Sequence, residues 1–109
     1  MEHFAAKLST LKQKKKMRVL IENRPILLAY TDRGVFAIRD KCPHMGAILS
    51  NGIYQDGVIR CKDHGLPISV ETGEVTDTSK ADFLKLDEYS RSVRKYMISI
   101  KDDSIYINL

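Results

Sequence analysis

Apolar and polar residues alternate along most of the chain, and a turn signal breaks the alternation roughly every ten residues, a pattern of short half-buried strands. Such runs cover His3 to Ser9 and Met17 to Glu22, separated by a lysine-rich loop. Pro25 to Tyr30 and Val35 to Arg39 follow, joined by Asp32-Arg33-Gly34. Ile53 to Gln55 and Val58 to Arg60 flank Asp56-Gly57, a strong hairpin signal. Leu66 to Val70 and Glu74-Val75 flank Thr72-Gly73, and Tyr96 to Ile100 and Ser104 to Asn108 flank Lys101-Asp102-Asp103. The stretch from Thr76 to Lys95 is the least readable: Ala81 to Tyr89 sets Phe83, Leu84 and Leu86 among charges, as in a short helix or an irregular loop. The pattern predicts an all-β domain, an antiparallel β-sandwich or small barrel, with almost no helical periodicity.

Length narrows this further. The 109 residues fit a single domain spanning 1–109, too small to add a separate catalytic domain, so the chain is not expected to be an enzyme by itself. No apolar run approaches the roughly 20 residues of a membrane span, and the N-terminus carries charges where a signal peptide is apolar. A cytoplasmic protein without a membrane partner is expected. The formal charge is +4, but residues 1–18 alone hold Lys7, Lys12, Lys14, Lys15, Lys16 and Arg18 against Glu2. With Phe4 the only nearby aromatic, that patch lacks the stacking groups of a nucleic-acid site. It reads as a solvated loop, or as a docking surface for an acidic redox partner.

The chemistry is concentrated in two segments. Cys42-Pro43-His44-Met45-Gly46 and Cys61-Lys62-Asp63-His64-Gly65 hold both cysteines and two of the three histidines, with 16 residues between His44 and Cys61. Each segment offers one thiolate, one imidazole and a glycine, so two similar loops could close on one metal centre. C-x-H with C-x-x-H is poor zinc spacing. A [2Fe–2S] cluster with two histidines on one iron needs this inventory of ligands. With both cysteines so assigned, a disulfide would dismantle the site, which suits a reducing compartment. Pro43 pushes Cys42 toward an extended conformation, and Gly46 and Gly65 are expected to let backbone N–H groups approach bridging sulfides. His3 has no spaced partner and reads as a strand or surface residue. The acids Asp32, Asp56, Asp102 and Asp103 read as turn caps.

The region from about Val35 to Val75 resembles the cluster-binding part of Rieske-type ferredoxins. The resemblance implies a Rieske-like fold with an inserted cluster-binding subdomain at about 40–75, made of two loops. It implies one Rieske-type [2Fe-2S] cluster per chain, with Cys42 and Cys61 on one iron and His44 and His64 on the other. The family commonly has proline and an aromatic residue between the second cysteine and histidine, and an aromatic beyond that histidine; here stand Lys62, Asp63 and Ile68. These changes predict less apolar cover, and Asp63 is expected to disfavour an added electron. Spare cysteines, and the serine and tyrosine of the high-potential class, are absent; Leu66 and Ile68 stand at the latter two positions. The chain thus resembles the low-potential class, with a potential on the order of −150 mV.

The resemblance implies a soluble one-electron carrier passing electrons from a reductase to an oxygenase or other redox enzyme. His44 and His64 would face the partner, with Met45, Leu66 and Pro67 as apolar contact surface and Lys41, Arg60 and Lys62 as polar rim. Two alternatives stand: the small Rieske subunit of an assimilatory nitrite reductase, and a zinc-stabilised binding module.

Overall fold

The computed structural model describes every residue of the chain except Met45. Among the described residues nine strands form, in chain order: β1 (Glu2–Lys7), β2 (Lys16–Ile21), β3 (Arg24–Thr31), β4 (Gly34–Arg39), β5 (Ile53–Gln55), β6 (Val58–Arg60), β7 (Pro67–Ser69), β8 (Lys95–Lys101) and β9 (Ser104–Asn108). Six make an antiparallel sheet ordered β1-β9-β8-β4-β3-β2, which curls into a nearly closed barrel. The other three form a small sheet, β5-β6-β7, lying in the chain between β4 and β8. Both sheets follow the runs that alternation and turn dipeptides mark, except that Glu74-Val75, expected to complete a third small hairpin, makes only isolated bridges, Val75 to Ile68 and Glu74 to Ser92.

Strand β3 shows why the sequence folds into two linked units. Its side chains alternate in direction. Ile26 and Leu28 enter the barrel core with Ala6, Val35, Ala37, Ile105 and Ile107. Leu27 and Ala29 point the other way and, with Ile38 of β4, form a second core against Leu49, Ile59, Leu66, Ile68 and Val70. Burying one such side chain contributes about 1.5–3 kcal/mol, so these shared strands fix the small sheet on the barrel. Tyr54 of β5 adds a polar tie: its hydroxyl donates to the Tyr30 carbonyl at 2.7 Å. Burial raises that phenol above its ordinary 10.0.

Two expectations change. Leu8 and Ser9 do not continue the first strand, and the lysine-rich stretch is not a loop: Leu8–Lys14 forms helix α1. Only Leu11 of this helix is buried, at 0 % exposure. Barely two turns with a single buried position are too short to show a helical period. Its N-terminus is capped from far away. Asp103, in the β8–β9 turn, accepts from the Ser9 amide at 2.8 Å and the Ser9 hydroxyl at 2.7 Å. In the least readable stretch, Thr78–Phe83 forms helix α2, with Asp77 accepting from the Lys80 amide at its start. A 3-10 turn follows at Glu88–Ser90.

Candidate metal centre

Two loops project from the small sheet side of the barrel. The first leaves the end of β4 and carries Cys42 and His44; the second joins β6 to β7 and carries Cys61 and His64. In the first, the Cys42 amide donates to the Ala47 carbonyl at 2.7 Å and the Gly46 amide to the Cys42 carbonyl at 2.8 Å. In the second, the Cys61 amide donates to the Leu66 carbonyl at 3.0 Å and the Gly65 amide to the Cys61 carbonyl at 2.8 Å. The two loops thus repeat one hydrogen-bond scheme. Gly46 (φ +73°) and Gly65 (φ +67°) take left-handed backbone, which strains any residue bearing a Cβ. That is why glycine stands there. These two amides close the loops on the cysteine carbonyls.

The scheme sorts the side chains by depth. Cys42 and Cys61 are 1 % and 3 % exposed and belong to the second core, among Leu49, Ile59, Leu66 and Ile68. His44 is half-buried and His64 exposed, with ring centroids 4.6 Å apart in an edge-to-face arrangement at 84°. The rings meet although His44 stands two residues after its cysteine and His64 three. Two sulfur atoms inside and two imidazoles outside suit a group whose two metals take different ligands. Among the described residues, no three His, Cys, Asp or Glu side chains gather as a single ion would require.

One residue escaped sequence reasoning. Asp40, two residues before Cys42, is 2 % exposed and accepts from the Ser50 amide at 2.7 Å, the Ser50 hydroxyl at 2.6 Å and Arg18 Nη1 at 3.0 Å. It staples both ends of the first loop to β2. A polar residue ending an apolar strand looks like any turn acid, so nothing in the sequence marks it. Gly52 fastens the loop exit to the second loop: a Cβ there would lie 1.9 Å from the carbonyl oxygen of Arg60, the residue before Cys61.

Other expectations are corrected by burial. Leu66 and Pro67 are core residues, so they provide no contact surface. Ile68 is also wholly buried, so the expected loss of apolar cover does not occur at that position. Lys41, Arg60 and Lys62, the expected rim, are exposed, and so is Asp63. Met45, expected on the contact surface, lies outside the described residues. His3 stays on β1, its Nε2 3.7 Å from Glu22 Oε1.

A barrel with an inserted three-stranded sheet and paired Cys/His loops defines an iron–sulfur domain of the Rieske type. The chain belongs to the Rieske [2Fe-2S] domain family, whose model matches residues 2–90. The family brings its cofactor, a Rieske-type [2Fe-2S] cluster, in place of the zinc considered from the ligand inventory. Apoptosis-inducing factor 3 of Homo sapiens is 34 % identical over 82 residues, 74 % of this chain; the chain spans only 12 % of that protein's length. The anthranilate 1,2-dioxygenase ferredoxin subunit of Burkholderia cepacia is 30 % identical over 86 residues, covering 79 % of this chain and 71 % of the subunit. Among solved structures, the ferredoxin of carbazole 1,9a-dioxygenase from Nocardioides aromaticivorans IC177 superposes with a TM-score of 0.81 at 21 % identity, over 98 % of this chain and 96 % of that one. A protein described as the small subunit of an NADPH nitrite reductase superposes at 0.75 with 19 % identity, over 100 % and 99 %. At these identities the two structural likenesses establish the fold.

Proposed function

We propose that this chain is a one-electron carrier forming a single Rieske domain over residues 1–109, with its cluster-binding subdomain at about 40–75. Cys42 and Cys61 hold one iron, and His44 and His64 the other. The observation that carries this reading is the pairing of the His44 and His64 rings, 4.6 Å apart at the surface, above two buried cysteines on matched loops. Bound there, the cluster supplies a one-electron couple. The chain's own residues do the rest: Leu49, Ile59, Leu66 and Ile68 keep water from the cysteines, and the two imidazoles offer a partner the shortest approach. Lys41, Arg60 and Lys62 form a cationic rim for an acidic redox partner, a reductase on one side and an oxygenase or other redox enzyme on the other. We place the carrier in the cytoplasm; no helix among the described residues is long and apolar enough to cross a membrane.

The test is spectroscopic. Anaerobically purified protein is expected to be red-brown, to bleach with dithionite into a rhombic, histidine-ligated [2Fe–2S] resonance, and to hold two irons and two sulfides per chain. Colourless protein holding zinc after reconstitution would sink the reading. His64→Cys is expected to keep a cluster but lower the g-anisotropy and the potential, because a thiolate replaces a neutral imidazole. A second reading, the small subunit of a nitrite reductase, draws on the end-to-end superposition with such a protein. A stable complex with a large reductase polypeptide favours the subunit; transient, salt-sensitive docking favours the carrier.

A further inference from the structure

Beside the first loop lies a cleft of about 270 Å³ that the carrier mechanism does not use. It opens between the end of β4 with the start of the first loop and the segment 89–94, and its lining includes Arg39, Lys41, Cys42, Ser90, Ser92 and Arg94. Among the described residues, three cations line it and no carboxylate does. Among the described residues, ion pairs join His3, Arg18, Arg24, Arg33, Arg91 and Lys101 to acids; Arg39, Lys41 and Arg94 are in none of them. Among the described residues, no hydrogen bond is made by their side-chain donors or by the Ser90 and Ser92 hydroxyls. The Lys41 side chain lies back over the ligand loop, with Cε 3.0 Å and Nζ 3.9 Å from where a Cβ on Gly46 would stand. The Arg94 guanidinium rests 5.3 Å from the Tyr96 ring centroid, which holds it at the cleft wall.

We propose that this cleft binds a small oxyanion, a phosphate or a phosphate monoester, and that its occupancy lowers the affinity of the neighbouring cluster for an electron. The inference rests on the cluster assignment above. Two guanidinium forks and an ammonium supply the charge-assisted donors that oxyanions take, and two hydroxyls add neutral ones. A concave wall concentrates their field. Because Cys42 lines the same cleft, an anion held there would lie beside a cysteine that would hold an iron of the cluster. Added negative charge opposes reduction, and reduction in turn weakens anion binding by the same factor.

Two measurements on the holoprotein test this, with inorganic phosphate as the probe. Calorimetric titration of the oxidised protein is expected to show saturable binding that Arg39→Ala/Arg94→Ala abolishes and the equally charged control Lys12→Ala/Lys14→Ala leaves intact. Voltammetry at constant ionic strength, phosphate replacing chloride, is expected to show the potential falling to a plateau. A fivefold preference for the oxidised protein corresponds to a fall of roughly 40 mV for one electron. No binding, or binding unchanged in the Arg39/Arg94 variant, overturns the site. Binding with a flat potential overturns the coupling. Absence of the [2Fe–2S] spectrum defeats the carrier reading instead, while the titration still decides the site.

Discussion

At the residue scale, the side chains that hold the candidate centre in place are not its ligands. Asp40 satisfies two donors of Ser50 and one of Arg18 from a fully buried position, while Arg18 remains about one-third exposed. Asp40→Ala leaves those donors without an acceptor, and the expected loss is about 2–3 kcal/mol, below that of a broken fully buried pair because solvent reaches the arginine. Denaturant unfolding measures it, and iron content per chain should fall alongside. Asp63 has the opposite character. It is exposed, adjoins His64 and contributes charge, so Asp63→Asn should leave stability nearly unchanged and raise the reduction potential. A fall or no change in protein-film voltammetry would count against an electrostatic role. Of these two, Asp63 could be picked out in the sequence because it adjoins a motif histidine. Asp40 could not, because its importance lies in a serine ten residues away and an arginine on another strand.

Elements reveal where local signals fail. The hairpins were legible since a turn dipeptide and two alternating runs lie within a few residues of each other. Helix α1 was not, because its capping acceptor, Asp103, is 94 residues from Ser9. The Ser9 contacts hold the Asp103 carboxyl below its ordinary 3.8. Its contribution to stability is therefore complete above about pH 4 and disappears as pH falls through the lowered value. Asp103→Asn should melt below the parent at neutral pH, and the two melting curves should converge in acid; a constant gap across that range would refute the linkage. Gly52 connects the two loops by closeness alone: its backbone is extended, φ −84°, so any residue suits the conformation and none but glycine suits the space. Gly52→Ala should cost about 1–3 kcal/mol through overpacking. Its signature is cluster loss at temperatures where the barrel, followed by far-ultraviolet circular dichroism, is still folded.

Over the whole molecule, the division into a barrel core and a second core beneath the loops separates stability from redox chemistry. The termini meet on the barrel, where the Met1 ammonium donates to the Leu109 carbonyl at 2.9 Å. The loop end carries exposed Lys41, Arg60 and Lys62 against Asp63. Oxidation of dithionite-reduced protein by ferricyanide should therefore slow by up to about tenfold between low and high salt, while oxidation by a cationic cobalt(III) hexammine should accelerate. Equal salt responses would remove the cationic rim from the docking model. Sequence alone determined the strand pattern and the two Cys/His segments, because alternation, turn dipeptides and ligand spacing are written within short stretches of chain. Tertiary structure alone decided that Leu66, Pro67 and Ile68 face inward, that Asp40 and Gly52 bind the loops together, and that two imidazoles at unequal spacing meet. Each of these depends on contacts between distant segments, where burial and backbone approach, rather than local preference, set the energy.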